Sequence, residues 1–183
     1  MLVEITPQEY NVAIDLKYAT PENFTGQPVY QKNARCFLHE EAAAKLKAAI
    51  KLADTQGYRF LIFDAYRPSE AQWKLWNHTP DPNFLADPAK GSPHSRGVAV
   101  DLTLLRGDVP LDMGTAFDAF TPLSHHGNLE VNAEAQRNRL ILMGIMTSAG
   151  WDFYRNEWWH YQLFNSRTYP LFSDKDAGTA VMA

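Results

Sequence analysis

Ser92-Pro93-His94-Ser95-Arg96-Gly97-Val98-Ala99-Val100-Asp101 sets a histidine and a carboxylate at either end of a turn inside an apolar run. Seven extended residues would span roughly 23 Å, whereas two ligands of one metal ion need donor atoms only about 2 Å from it. For His94 and Asp101 to share an ion, the chain must double back between them. Ser95-Arg96-Gly97 can supply the turn, because glycine tolerates positive φ and serine bonds locally to backbone. From Gly97 to Leu104 the pattern is that of a strand, with Val98, Val100, Leu102 and Leu104 on one face and Ala99, Asp101 and Thr103 on the other.

Taken alone, Asp101 fits the solvated face of an edge strand and His94 fits an ordinary loop. A second cluster, Glu157-Trp158-Trp159-His160-Tyr161, bears on that choice. Three ligands and one unligated glutamate make the inventory of a catalytic zinc site, which keeps its fourth position open for water. His94, Asp101 and His160 would be the ligands and Glu157 the general base. The aromatic run favours a strand from Trp158 to Leu163, with Glu157 in an irregular lead-in. An aromatic core strand with a satisfied buried histidine is the ordinary alternative.

At these motifs the chain resembles the D-alanyl-D-alanine dipeptidases of the VanX type, zinc peptidases related to the D-Ala-D-Ala carboxypeptidases and to Hedgehog domains. The resemblance runs in order through Asp15 to Thr20 with Asn23 to Gly26, then Asp64-Ala65-Tyr66-Arg67-Pro68, Ser92 to Leu104, Met113-Gly114 with Phe117-Asp118, and Glu157 to Tyr161. It implies one zinc ion on His94, Asp101 and His160, with Glu157 as base and Arg67 stabilising the transition state. It also implies Asp118 as receiver of the substrate ammonium, with Asp112 the competing candidate, and Tyr18 and Tyr30 as pocket-lining tyrosines. Ser92 could offer a hydroxyl to the substrate carboxylate or simply cap the turn. The implied fold is α+β, a central antiparallel sheet with flanking helices. The implied reaction is hydrolysis of free D-Ala-D-Ala to two D-alanines, with D stereochemistry resting on the resemblance alone. A zinc carboxypeptidase acting on peptidoglycan stem peptides, or a non-catalytic zinc-stabilised binding domain, are the other readings.

Composition sets the frame. A chain of 183 residues, 45% hydrophobic and 13% aromatic, reads as one globular domain over 1–183, with a frayed tail from about 175. Seventeen basic against 21 acidic residues give a net charge of −4, without the basic excess of nucleic-acid binders. A small substrate fits better, and oligomeric state is not legible. The single cysteine, Cys36, cannot form an internal disulfide and reads as core. Neither a signal sequence nor a membrane span is visible, so the expected location is cytoplasmic, or periplasmic if an export signal has been removed.

Periodicity predicts a first strand over Val12 to Tyr18 and a helix from Glu40 to Gln56 closed by Gly57. Tyr58 to Phe63 follows as a strand, and a helix runs from about Pro68 to Asn77 with Trp73 and Trp76 inward. A proline-rich loop from Thr79 leads to the site. Arg106-Gly107-Asp108 reads as a hairpin turn. A second long helix spans Asn132 to Ala149, with Asn132 as N-cap and a stripe through Leu140, Ile141, Ile145 and Met146. Trp151 to Tyr154 reads as a further strand. His125 and His126 are adjacent and diverge on any regular element, so a loop fits them better than a shared ion.

Overall fold

The computed structural model describes residues 1–182; Ala183 lies outside them. In chain order the elements are β1 (Leu2–Ile5), α1 (Pro7–Tyr10), β2 (Ala13–Ile14), β3 (Cys36–His39), α2 (Glu40–Thr55), β4 (Arg59–Asp64) and α3 (Ser69–His78). They continue with β5 (Ala99–Arg106), β6 (Val109–Pro110), α4 (Ala133–Ser148), β7 (Asp152–Phe153), β8 (His160–Gln162) and α5 (Asp174–Ala177). The fold is α+β, as expected. Its main sheet runs β2-β4-β5-β8-β7, with β6 paired to the far end of β5. Every pair in it is antiparallel except β2 with β4, so the central sheet is not wholly antiparallel. A two-stranded sheet of β1 and β3 stands apart from it.

The helices form where their caps and buried faces place them. His39 Nδ1 accepts the Glu41 N–H at the start of α2, and Asn132 caps α4 by accepting from Ala135 N–H, each satisfying an otherwise orphaned donor. Leu46 and Ala49 of α2 pack with Leu142 and Met146 of α4 over Phe60, Ile62, Val100, Leu102 and Leu104. The even-numbered side chains of β5 thus face the helices and the odd-numbered ones point to the opposite face. Asp101 sits on that second face and is buried there.

Several expectations need correction. The strand expected over Val12 to Tyr18 shortens to β2, Ala13–Ile14, and is preceded by β1, which was not expected; Lys17–Ala19 turns into a 3₁₀ segment that tucks Tyr18 inward. The last aromatic strand is only His160–Gln162, because Trp158 and Trp159 lie in the turn before it, both buried. Leu140 of α4 is 60% exposed, the buried stripe passing instead through Leu142. Trp73 is also largely exposed. Pro68 is the N-cap of α3 rather than its first residue. Nor is the tail frayed as far as it is described: the Asp174 carboxylate accepts from the Val181 and Met182 N–H groups, and Val181 is buried. Cys36 is core as expected. No helix among the described residues is long and apolar enough to cross a membrane.

Candidate metal and substrate site

The sheet builds the site as a row. Register pairs Asp64 of β4 with Asp101 of β5, and Asp101 with His160 of β8, so three polar side chains from three strands meet on the face away from α2 and α4. A register shift between Ile62 and Asp64 turns the end of β4, a usual way of re-aiming side chains beside a site. His94 comes from a 3₁₀ turn, His94–Arg96, and Gly97 at φ 68° folds the chain back into β5. That doubling-back is the one the spacing requires.

His94 Nε2 lies 3.1 Å from His160 Nδ1 and 3.3 Å from Asp101 Oδ1, which is itself 3.0 Å from His160 Nδ1. Donors held about 2 Å from one tetrahedral ion lie about 3.3 Å apart, so the triad is spaced to converge on one. The chemistry agrees. His94 Nδ1 donates to the Ala65 carbonyl at 2.7 Å, leaving Nε2 with a free lone pair, and His160 Nε2 meets Gln162 Oε1 at 3.1 Å, which does the same for Nδ1. All three residues are buried. His94, His160 and an Asp is a set suited to Zn²⁺. The two histidines hold Asp101 strongly ionised despite its burial, with its carboxyl far below the usual carboxylate range.

Arg67 is fixed from several sides. Its Nε donates to Asp64 Oδ2 at 2.8 Å and its Nη1 to Gln72 Oε1 at 2.9 Å, while Nη2 stands 3.5 Å from Asp101 Oδ2. The guanidinium lies 4.9 Å from the centre of the Tyr18 ring. Tyr30 donates its hydroxyl to Asp64 Oδ1 at 2.8 Å and does not line the cavity. It stands behind the Asp64–Arg67 pair. Gln72 also donates to the Ala86 carbonyl at 2.7 Å, tying Arg67 to the proline-rich loop.

One cavity of about 380 Å³ collects the remaining candidates: Tyr18, Ser92, Asp118 and Glu157 all line it beside the triad. Glu157 Oε2 is 3.9 Å from His160 Nδ1. Burial, then Asp101 and Asp118, push its carboxyl well above the usual range. Asp118 has a left-handed φ of 59°. Its Oδ1 accepts from the Tyr18 hydroxyl at 3.2 Å, whereas the buried Oδ2 has no partner among the described residues. Burial and Asp101 raise its pKa to about 8. Asp112, the competing candidate, is exposed and spends its carboxylate on Gly114 N–H and the Asn132 amide. Ser92 is buried, and its Oγ accepts the His94 N–H at 3.2 Å, so its own proton is free to be given. His125 and His126 lie in a loop and outside the triad.

Asp64, Gln72 and Gln162 are the participants that residue-by-residue reading missed. Asp64 opens a motif quoted for Arg67, and its place three residues before an arginine at a strand end was the available signal. Gln72 carried none, because its contact to the Ala86 carbonyl comes from a separate loop, whereas Gln162 sits two residues after His160 on the same strand face, and that spacing was its available signal.

A sequence model of the D-ala-D-ala dipeptidase family matches residues 2–175. A D-alanyl-D-alanine dipeptidase of Escherichia coli K12 is 44% identical over 95% of this chain and 90% of its own length. One of Enterococcus faecium is 38% identical over 88% of this chain and 90% of its own, and one of Streptomyces coelicolor 36% over 81% and 84%.

Proposed function

The chain belongs to the D-ala-D-ala dipeptidase family of peptidases, and from that membership we propose that it hydrolyses free D-alanyl-D-alanine to two D-alanines with one zinc ion. On this reading residues 1–183 form one zinc dipeptidase domain, and the match over 2–175 supports it. The observation that carries the proposal is that the triad and an unpaired carboxylate, Asp118, share a single cavity. Asp64, Asp101, Asp118 and Glu157 bring four carboxyl groups together around one guanidinium, Arg67. A divalent ion and a substrate ammonium would together supply the three missing positive charges.

When held by His94, Asp101 and His160, zinc supplies Lewis acidity that makes water acidic enough to be deprotonated near neutral pH. Asp118 and Tyr18 bind the dipeptide's ammonium, a charge-assisted contact, and Ser92 donates to its carboxylate. Glu157 takes a proton from the attacking water, and its raised affinity for protons suits it as base. Arg67 donates to the carbonyl oxygen as negative charge builds there, held in aim by Asp64 and Gln72. Water's oxygen joins the carbonyl carbon, the C–N bond breaks, and Glu157 hands its proton to the departing amine.

The Asp118 carboxylate, joined to the Tyr18 hydroxyl and with Oδ2 unpartnered among the described residues, is suited to a free ammonium, which a dipeptide offers and the acylated nitrogen of a stem peptide does not, and this favours a dipeptide over a stem peptide. The test compares D-Ala-D-Ala with N-acetyl-D-Ala-D-Ala and a stem pentapeptide, with and without chelator, by mass spectrometry. The free dipeptide should be cleaved, the chelator should stop it, and the acylated substrates should resist. Cleavage of the pentapeptide at a comparable rate would make the chain a carboxypeptidase.

A further inference from the structure

The same cavity carries basic groups that the mechanism leaves unused. Arg96, in the turn that bears His94, and Arg167, in the 3₁₀ segment Ser166–Thr168 after β8, both line it. Arg96 is held by backbone: its Nη1 donates to the Tyr169 carbonyl and its Nη2 to the Lys90 carbonyl at 3.3 Å. Gly91, at φ 81°, makes room for it, since a Cβ there would stand 2.8 Å from Arg96 Nη2. Neither arginine has an ion-pair partner among the described residues, although nearby Lys90 does, 3.8 Å from Asp87.

A like-charged pair of arginines facing one cavity, one of them braced by backbone, lacks an anion. The cavity thus holds both a cation-seeking carboxylate, Asp118, and two anion-seeking guanidiniums. The geometry points to Arg167, supported by Arg96, as the subsite for the carboxylate of the substrate's C-terminal residue. This rests on the dipeptidase reading and deepens it. It makes Ser92 an auxiliary donor and gives the site a reason to require a free carboxyl group.

Arg167 is exposed, so its replacement should spare the fold. Two measurements are needed: steady-state kinetics on D-Ala-D-Ala and D-alanyl-D-alaninamide, and calorimetric binding of both to the zinc-loaded Glu157→Gln chain. Arg167→Gln should raise KM for the free acid about tenfold, the low end for a hydrogen bond to a charged group. It should move kcat less, and KM for the amide by less than about twofold. Arg167→Glu should widen the loss for the acid alone. An unchanged ratio of acid to amide in both kinetics and binding overturns the subsite. If the parent cleaves neither ligand yet binds the acid in an Arg167-dependent way, the subsite stands and the dipeptidase reading falls. If the acid neither is cleaved nor binds, both fall.

Discussion

Asp118 is a carboxyl group whose charge the fold leaves unbalanced. Its pKa of about 8 in the folded chain compares with about 3.9 in an unfolded one. Between those values the folded chain keeps a proton that the unfolded chain has lost, so stability falls as pH rises from about 4 to about 8 and then levels off. Asparagine does not titrate and tolerates the left-handed φ of 59°. In chelator-treated protein Asp118→Asn should therefore lose that slope and exceed the parent in stability at pH 8, while KM for the free dipeptide rises about tenfold or more. Urea unfolding of both chains at pH 5 and pH 8 checks it; the same slope in both would show that the buried carboxyl is not its source. How a residue became legible differs from case to case. His94 and Asp101 became candidates only beside the Glu157–His160 cluster, since each alone fits an ordinary loop or a solvated strand edge. Asp118 entered only through resemblance, since nothing in its neighbours signals a buried, unpaired oxygen. Tyr30 shows the opposite limit, its hydroxyl reaching Asp64 rather than the cavity.

At the scale of elements, the site depends on β5 starting where it does. The strand was readable because seven of its eight residues are apolar or placed by strict alternation, and burial on both faces follows. The two-residue strands β2 and β7 were overextended by the same pattern, since alternation does not say where pairing stops. Gly97 joins the His94 turn to β5, and a Cβ there would lie 2.5 Å from Leu2 Cδ2 and 3.0 Å from the His39 nitrogen. Gly57 has a similar φ, 73°, but open space around it, which separates steric conflict from backbone strain. Gly57→Ala should cost about 1 kcal/mol from φ alone. Gly97→Ala should cost about 2–4 kcal/mol, because the β1–β3 sheet must shift as well, and it should weaken zinc binding by moving His94. Urea midpoints of the two variants provide the comparison, and equal losses would mean that the close approach to Leu2 and His39 is readily relieved.

The whole molecule gathers its three donors from segments that meet only when β5 pairs with β8, so an ion held by them binds the folded chain and not the unfolded one. Such binding stabilises by about 4 kcal/mol when free metal exceeds its dissociation constant a thousandfold, on the order of 10 °C in melting temperature at this size. Gln162 decides how much of that is realised. Its Oε1 faces His160 Nε2 at 3.1 Å and fixes the tautomer that frees Nδ1, a supporting contact whose loss typically weakens metal binding about 10- to 100-fold. Gln162→Leu should therefore melt close to the parent without metal but recover only about one to two thirds of the zinc-induced rise, whereas Gln162→Glu, still an acceptor, should keep it. His160→Ala should show no rise at all. Calorimetric melting with chelator and with matched free zinc distinguishes these outcomes without recourse to turnover. A full rise in Gln162→Leu would remove Gln162 from the site's support, and no rise in the parent would remove the metal from the triad.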